Sequence, residues 1–410
     1  MGFLMYSFRK HSAGHSGGGQ SQHPLPWLAL GLVTLWPCHA ALAGWSDPLE
    51  SPSVLVPLAH QALMLDVARA GKQLVAVGEF GNILVSADDG VLWQQASVPV
   101  RVTLTSVSFV DAEYGWACGH DGVILATRDG GASWLRQFDG YRANDALVAA
   151  AEAALQSAES ELSELEAAGD DIADAEALVE SAAMALDDAR YDQESGSTRP
   201  CLDIHFADRQ RGIAVGAYGS VFMTSDGGEH WLEASARIEN PERFHLNFIR
   251  ALSPAEWWLG GESGLLFRSA DAGERWETIE SPYDGSLFDL NILGGERVLA
   301  GLRGHLFRLD DQQQWHEINH QGDQTLNASA VLGDGSLLLV GNAGALVKLN
   351  PDGSIAAETS LADSKSLAAL LPLASGYLVA GEGGLWRLND RGERQGVSVQ
   401  SAQESRHAAQ

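Results

Sequence analysis

Four short phrases in this chain hold the residue types from which hydrolytic chemistry is built. The pattern Ser/Thr-x-Asp-x-Gly-x-x-Trp occupies Ser86 to Trp93, Thr127 to Trp134, Thr224 to Trp231 and Ser269 to Trp276, and a worn copy survives at Asp310 to Trp315. Its acids are Asp88, Asp129, Asp226 and Asp271, and its aromatic residues are Trp93, Trp134, Trp231 and Trp276. A catalytic reading needs the four copies to converge on one site, so these acids qualify only if the fold brings copies together. An architectural role requires no convergence: the Asp accepts backbone N–H groups inside a tight turn, the Gly supplies an angle other residues resist, and the Trp packs beneath.

The elements around the phrases favour architecture. A Gly-x-x-Gly turn follows a short apolar strand seven times, closing at Gly81, Gly122, Gly219, Gly264, Gly304, Gly344 and Gly384. Successive turns are 40 to 45 residues apart, with one step of 97. Each unit reads as four short strands, such as "LTSVSFV", "GWACG", "GVILATR" and a last one opened by the tryptophan. That period and composition predict an all-β protein, a seven-bladed β-propeller. The phrases then mark the turn between third and fourth strands, one per blade and far apart.

The long step hides an insertion between Tyr141 and Pro200. Apolar residues at Leu147, Ala151, Leu155, Ala158, Leu162 and Leu165 have helical spacing, as do Ile172, Ala175, Val179, Ala182 and Leu186 beyond the break at Ala167 to Asp171. This predicts an α-helical hairpin between blades 2 and 3, with arms about 35 Å long. Residues 142–199 carry 15 acids against Arg142, Arg190 and Arg199, a net charge of −12. Such arms either bury a mutual seam and leave a solvated acidic face, or project as a lever for a partner.

The expected organisation is a leader at 1–43, blades 1 and 2 with an N-terminal closing strand at 44–141, the hairpin at 142–199, blades 3 to 7 at 200–390, and a polar tail at 391–410. The last unit reaches only three strands before that tail. The apolar run Ser53 to Leu58 is expected to supply its fourth and close the ring. Arg9 and Lys10, the apolar run Leu25 to Trp36 and Ala41-Leu42-Ala43 have the layout of a secretory signal, cleaved near Ala43. Lipidation at Cys38 is the less favoured alternative, because Trp36 and Pro37 stand where small residues belong. The destination is the periplasm or another extracytoplasmic compartment, where Cys118 and Cys201 could form a disulfide or remain buried thiols.

Removing the leader leaves 24 basic against 54 acidic residues, a net charge of −30, which disfavours nucleic acid as a partner. No later apolar run is long enough to cross a bilayer as a helix. No His or Cys pair has metal-ligand spacing, and no phosphate-binding loop or nucleophile elbow is present, so neither metal nor cofactor is expected.

Turns between second and third strands share a face with the connections between blades, so the hairpin is expected on the Gly-x-x-Gly face. That face is the candidate binding surface. Its turn residues include Glu79, Phe80, His120, Asp121 and Tyr218. Glu262, Arg303, Asn342 and Glu382 continue the ring.

The stretches "LTSVSFVDAEYGWACGHDGVILATRDGGASW" and "DIHFADRQRGIAVGAYGSVFMTSDGGEHW" resemble the repeats of the photosystem II stability and assembly factor family. The resemblance implies a propeller without chemistry of its own, which binds a precursor reaction-centre subunit at the lumenal or periplasmic side of a membrane during assembly. It also implies an arginine-rich contact patch, whereas Arg303 is the only arginine or lysine in the candidate ring. The expected partner is therefore a membrane-protein complex. Two other readings stand beside it: a sialidase-like glycoside hydrolase, which needs an arginine cluster and a Tyr–Glu pair in the channel, and a ligand-binding envelope module associated with an exporter.

Overall fold

Short apolar strands bounded by glycine turns pair with their immediate neighbours, and seven antiparallel sheets follow one another along the chain. The structure is a computed structural model that describes residues 46–196 and 199–399. The expected leader, Cys38 and the end of the tail lie outside the described residues. Blade 1 consists of Met64–Ala70, Gln73–Gly78, Ile83–Ser86 and Leu92–Gln95, from the innermost strand outward. Blades 2 to 7 span 104–138, 201–233, 246–278, 287–317, 326–360 and 367–395.

The second strand of each blade is apolar on both faces because another blade covers each side. Gly115–Gly119 and Leu337–Gly341, for example, are buried throughout. The core is therefore a series of layers between blades. Val75 and Val77 of blade 1 pack with Val107, Ala117 and Leu125 of blade 2, while Leu378 and Ala380 of blade 7 pack with Met64 and Leu74 of blade 1. Each innermost strand has a register shift near its start, as between Met64 and Asp66 or Leu287 and Asp289.

Closure differs from the expectation for Ser53 to Leu58, which is not a strand. Ser53 N–H bonds to Val98 O at 3.0 Å, and the Gln95 side chain brackets Val54 O and Val56 N–H at 3.0 and 2.9 Å. The run lies beside blade 1, where Gln95 occupies its backbone. Blade 7 instead completes itself from the supposed tail. Asn389 Oδ1 accepts the N–H groups of Arg391 and Glu393, turning the chain so that Arg394–Gln395 becomes the fourth strand. Ser398–Val399 then pairs in parallel with Leu92 and Trp93 of blade 1. A polar Asx turn made the closing segment look like a solvated tail.

The insertion forms α1 (Gly140–Ala168) and α2 (Ala173–Ser195). Asp139 caps α1 by accepting the Arg142 N–H at 3.1 Å, and Gly169 ends it in the left-handed conformation. At the root, the Asn144 amide donates to the carbonyls of Asp192 and Gly196 at 3.1 and 2.9 Å. Of the two states open to the cysteines, the structure has the disulfide. It joins Cys118 on the second strand of blade 2 to Cys201 on the innermost strand of blade 3, with their Cα atoms 5.8 Å apart. The bridge spans the break that the insertion makes in the ring.

Candidate partner-binding face

The acid-glycine-tryptophan phrases act inside their own turns. Thr127 Oγ1 donates to Asp129 Oδ1 at 2.8 Å and accepts Gly131 N–H, Asp129 accepts Ser133 N–H at 2.9 Å, and Trp134 Nε1–H bonds to Gly131 O. Asp88, Asp226 and Asp271 take the same place, accepting the N–H groups of Leu92, His230 and Arg275. Trp93, Trp134 and Trp231 are buried beneath their turns, and Trp276 is half-buried. The His230 N–H, with help from the His230 ring, holds Asp226 down at about 2. An acid so depressed is a permanent acceptor and a poor proton donor.

The opposite face is built from the Gly-x-x-Gly turns, and its geometry explains the spacing. A Cβ on Gly78 would lie 2.1 Å from Leu63 O, where the chain enters the innermost strand. Gly81 takes φ +70°, which favours glycine. The residue before that second glycine is also left-handed in every blade: Phe80, Asp121, Tyr218, Ser263, Arg303 and Ala343 have φ between +51° and +58°, and Gly383 has +82°.

The two positions inside the turn behave differently. Glu79, Glu262 and Glu382 reach back to accept the N–H groups of Leu63, His245 and Ser366 at 2.9 to 3.2 Å. Asn342 accepts from Asn327 Nδ2 at 3.0 Å. These four sequence candidates hold the entry to the innermost strand, and His120 occupies the corresponding position in blade 2. The next position faces outward: Phe80 is 62% exposed and Tyr218 52%, with Arg303 also exposed. Asp121 is half-buried, and burial raises its carboxyl, with Asp47 adding to the rise.

Two clusters on this face were not legible as single motifs. Tyr218 lies 5.0 Å from the His245 ring, and the Arg199 guanidinium stands 5.5 Å over it, paired on its other side with Asp192 of α2. Tyr283 stacks on His305 at 4.3 Å, and His305 Nδ1 is 3.1 Å from Glu317. Val54, Leu55, Val56 and Leu58 are exposed beside blade 1. α1 begins against the turn of blade 2, with Gly140 beside Gly122, which places the hairpin root on this same face.

The innermost strands carry a further network that no single sequence motif marks. Asp66 Oδ2 accepts Val107 N–H of the next blade at 2.8 Å, and Asp203 Oδ2 accepts Ile249 N–H of the next blade at 2.9 Å. Arg250 joins Asp203 at 2.8 Å to Asp289 at 2.6 Å, while Ser106 and Ser329 donate to Asp203 and Asp289. Asp66, Asp203 and Asp289 stand at the same place in their repeats, so aligning the units on one another would have exposed them. Burial pushes Asp66 up to about 6, against the pull of Val107 N–H and with Asp203 adding to the rise. Burial also lowers His205 to about 4. Arg250 and Arg69 are both engaged, Arg69 with Pro372 O at 3.0 Å and with Asp89 at 3.7 Å. Among the described residues, no group of three or more His, Cys, Asp or Glu is arranged to hold a metal ion. No helix among them is long and apolar enough to cross a membrane.

Seven blades, the first four fastened by intact Asp turns, define an Asp-box β-propeller. The chain belongs to the photosystem II assembly factor Ycf48 family. The family profile, described as photosynthesis system II assembly factor YCF48, matches residues 85–152 and 191–316, leaving out most of the hairpin. The photosystem II assembly lipoprotein Ycf48 of Prochlorococcus marinus (strain MIT 9313) is 33% identical over 241 residues, covering 47% of this chain and 70% of that protein. The protein of that name from Synechococcus sp. (strain CC9902) is 31% identical over 113 residues, 27% of this chain and 34% of its own length. A solved structure of YCF48 bound to D1 peptide has a TM-score of 0.53 at 15% identity, covering 83% of this chain and 97% of that one. YCF48 from Cyanidioschyzon merolae also reaches 0.53, at 12% identity, covering 80% and 96%. At these identities the structural likeness concerns the fold.

Proposed function

We propose that this protein is a non-catalytic, extracytoplasmic assembly factor that holds a segment of a membrane-protein subunit against its Gly-x-x-Gly face. The observation that carries this reading is the pair Phe80 and Tyr218. Glycine is the residue best suited to a left-handed position, as Gly383 shows in blade 7. A large aromatic residue there costs about 1–2 kcal/mol in backbone strain, and these two also stay exposed. Tyr218 touches His245 and Arg199 with part of its ring, and the open surface of Phe80 and Tyr218 offers a partner rigid contact area. Family membership supports the kind of partner, since relatives are named as photosystem II assembly lipoproteins and YCF48 has been solved with a D1 peptide. The disulfide and the leader support an oxidising compartment outside the cytoplasm.

The test uses the full chain and a D1 peptide. Phe80→Gly and Tyr218→Gly relieve strain, so thermal stability should hold or rise, while affinity for the peptide should fall about ten-fold or more, as for interface anchors. Unchanged affinity in the double variant would sink the assignment of this face.

A further inference from the structure

The hairpin carries an apolar line that its own packing does not use. In α1, Val148, Ala151, Leu155, Ala158, Leu162 and Leu165 form a row at alternating three- and four-residue steps, and in α2 Ala175, Val179, Ala182, Leu186 and Ala189 do the same. These rows are the buried or half-buried positions of the arms, so α1 and α2 pack as a two-stranded antiparallel seam. At 100° per residue, Ala177, Met184 and Tyr191 fall on the opposite side of α2, one above another at seven-residue intervals. Met184 is 58% exposed and Tyr191 71%. Their line is about 21 Å long, and carboxylates flank it at Glu180, Asp187 and Asp188.

Charge selects the occupant. The hairpin's three basic residues are arginines, of which Arg190 pairs with Glu152 and Arg199 with Asp192. A second copy would bring another net −12 against the first, and an anionic lipid surface would be repelled in the same way. A helix with one apolar row edged by Lys or Arg meets both features: its row packs beside Met184 and Tyr191, and its cations face the carboxylates. Methionine, which adapts to irregular partners, suits such a contact. The line also ends near the turn face, because Asp192 follows Tyr191 and holds Arg199 over the Tyr218 ring.

We infer that the outer face of α2 receives a cationic amphipathic helix of a partner protein. The inference rests on the proposed function only in taking the occupant to be a protein segment, and it is independent of Phe80 and Tyr218. The experiment measures fluorescence anisotropy of a labelled Lys/Leu peptide of three heptads with helical spacing, titrated with the full chain at about 0.15 M salt. A scrambled peptide of the same composition and vesicles containing anionic lipid serve as controls. The amphipathic peptide should bind and gain helicity by circular dichroism, and Met184→Glu with Tyr191→Glu should weaken it about ten-fold, the weight of interface anchors. Phe80→Gly should leave this binding unchanged, so failure here and failure of the turn face are read separately. Equal binding of the scrambled peptide, indifference to the double variant, no binding, or preference for vesicles would each overturn the inference.

Discussion

Asp129 and Asp66 show how one residue type serves opposite electrostatic purposes in this fold. Asp129 sits among Ser133 and Thr127 donors that hold its carboxyl below the usual range against the burial that opposes them. Asp129→Ala strands those donors and should lower stability by about 1–3 kcal/mol, read from chemical denaturation. Asp226, held at about 2 in the folded chain, stabilises above the ordinary carboxylate pKa. Its contribution is lost as pH falls from about 4 toward 2. Asp66 works the other way: a folded value of about 6 means that the proton is bound more tightly in the native state. Its contribution is complete below about 4 and disappears as pH rises through 6. The stability difference between wild type and Asp66→Ala should therefore shift between pH 4 and pH 7, and carbon NMR of the Asp66 carboxyl should titrate near 6. A midpoint near 4 would contradict this account. The Asp turns were legible because their chemistry is local. The links from Asp66 to Val107 N–H and from Arg250 to Asp203 and Asp289 were not, since those partners stand 39 or more residues apart and meet only when the ring forms.

At the scale of elements, the hairpin and the disulfide belong together. Every other blade junction is crossed by a short connection, whereas this one is interrupted by two helices. The Cys118–Cys201 bridge restrains it across a sequence separation of 83 residues. Cys118→Ala with Cys201→Ala should lower stability by about 2–5 kcal/mol. Amide exchange should show the loosening concentrated at blades 2 and 3 and the root of α1, and uniform loosening of all blades would argue against a local clasp. Helical periodicity and charge made the arms legible, and most of their seam residues are those the spacing singles out, with Val148 and Ala189 in the seam and Leu147 turned instead to the core between blades 2 and 3. Pairing of the cysteines was undecidable from sequence, because it depends on two strands in different blades bringing their Cα atoms within reach.

Across the whole molecule, ring closure decides stability. A chain ending at Asp390 lacks both Arg394–Gln395 and Ser398–Val399, which leaves the third strand of blade 7 and the outer edge of blade 1 unpaired. It should unfold several degrees lower and self-associate on size-exclusion chromatography, as exposed strand edges do. Removing Ser53 to Leu58 should have a smaller thermal effect, because that run contributes no strand. The repeat period, the seven blades, the Asp turns and the inserted helices were determined by the sequence itself. Each depends on residues a few positions apart, where glycine, Asx turns and apolar periodicity act without long-range help. Only the tertiary structure decided which segment closes the ring, which turn acids are occupied in holding strand entries, and which innermost acids meet the arginine. Those outcomes depend on distances between groups far apart in the chain, and a linear pattern does not record such distances.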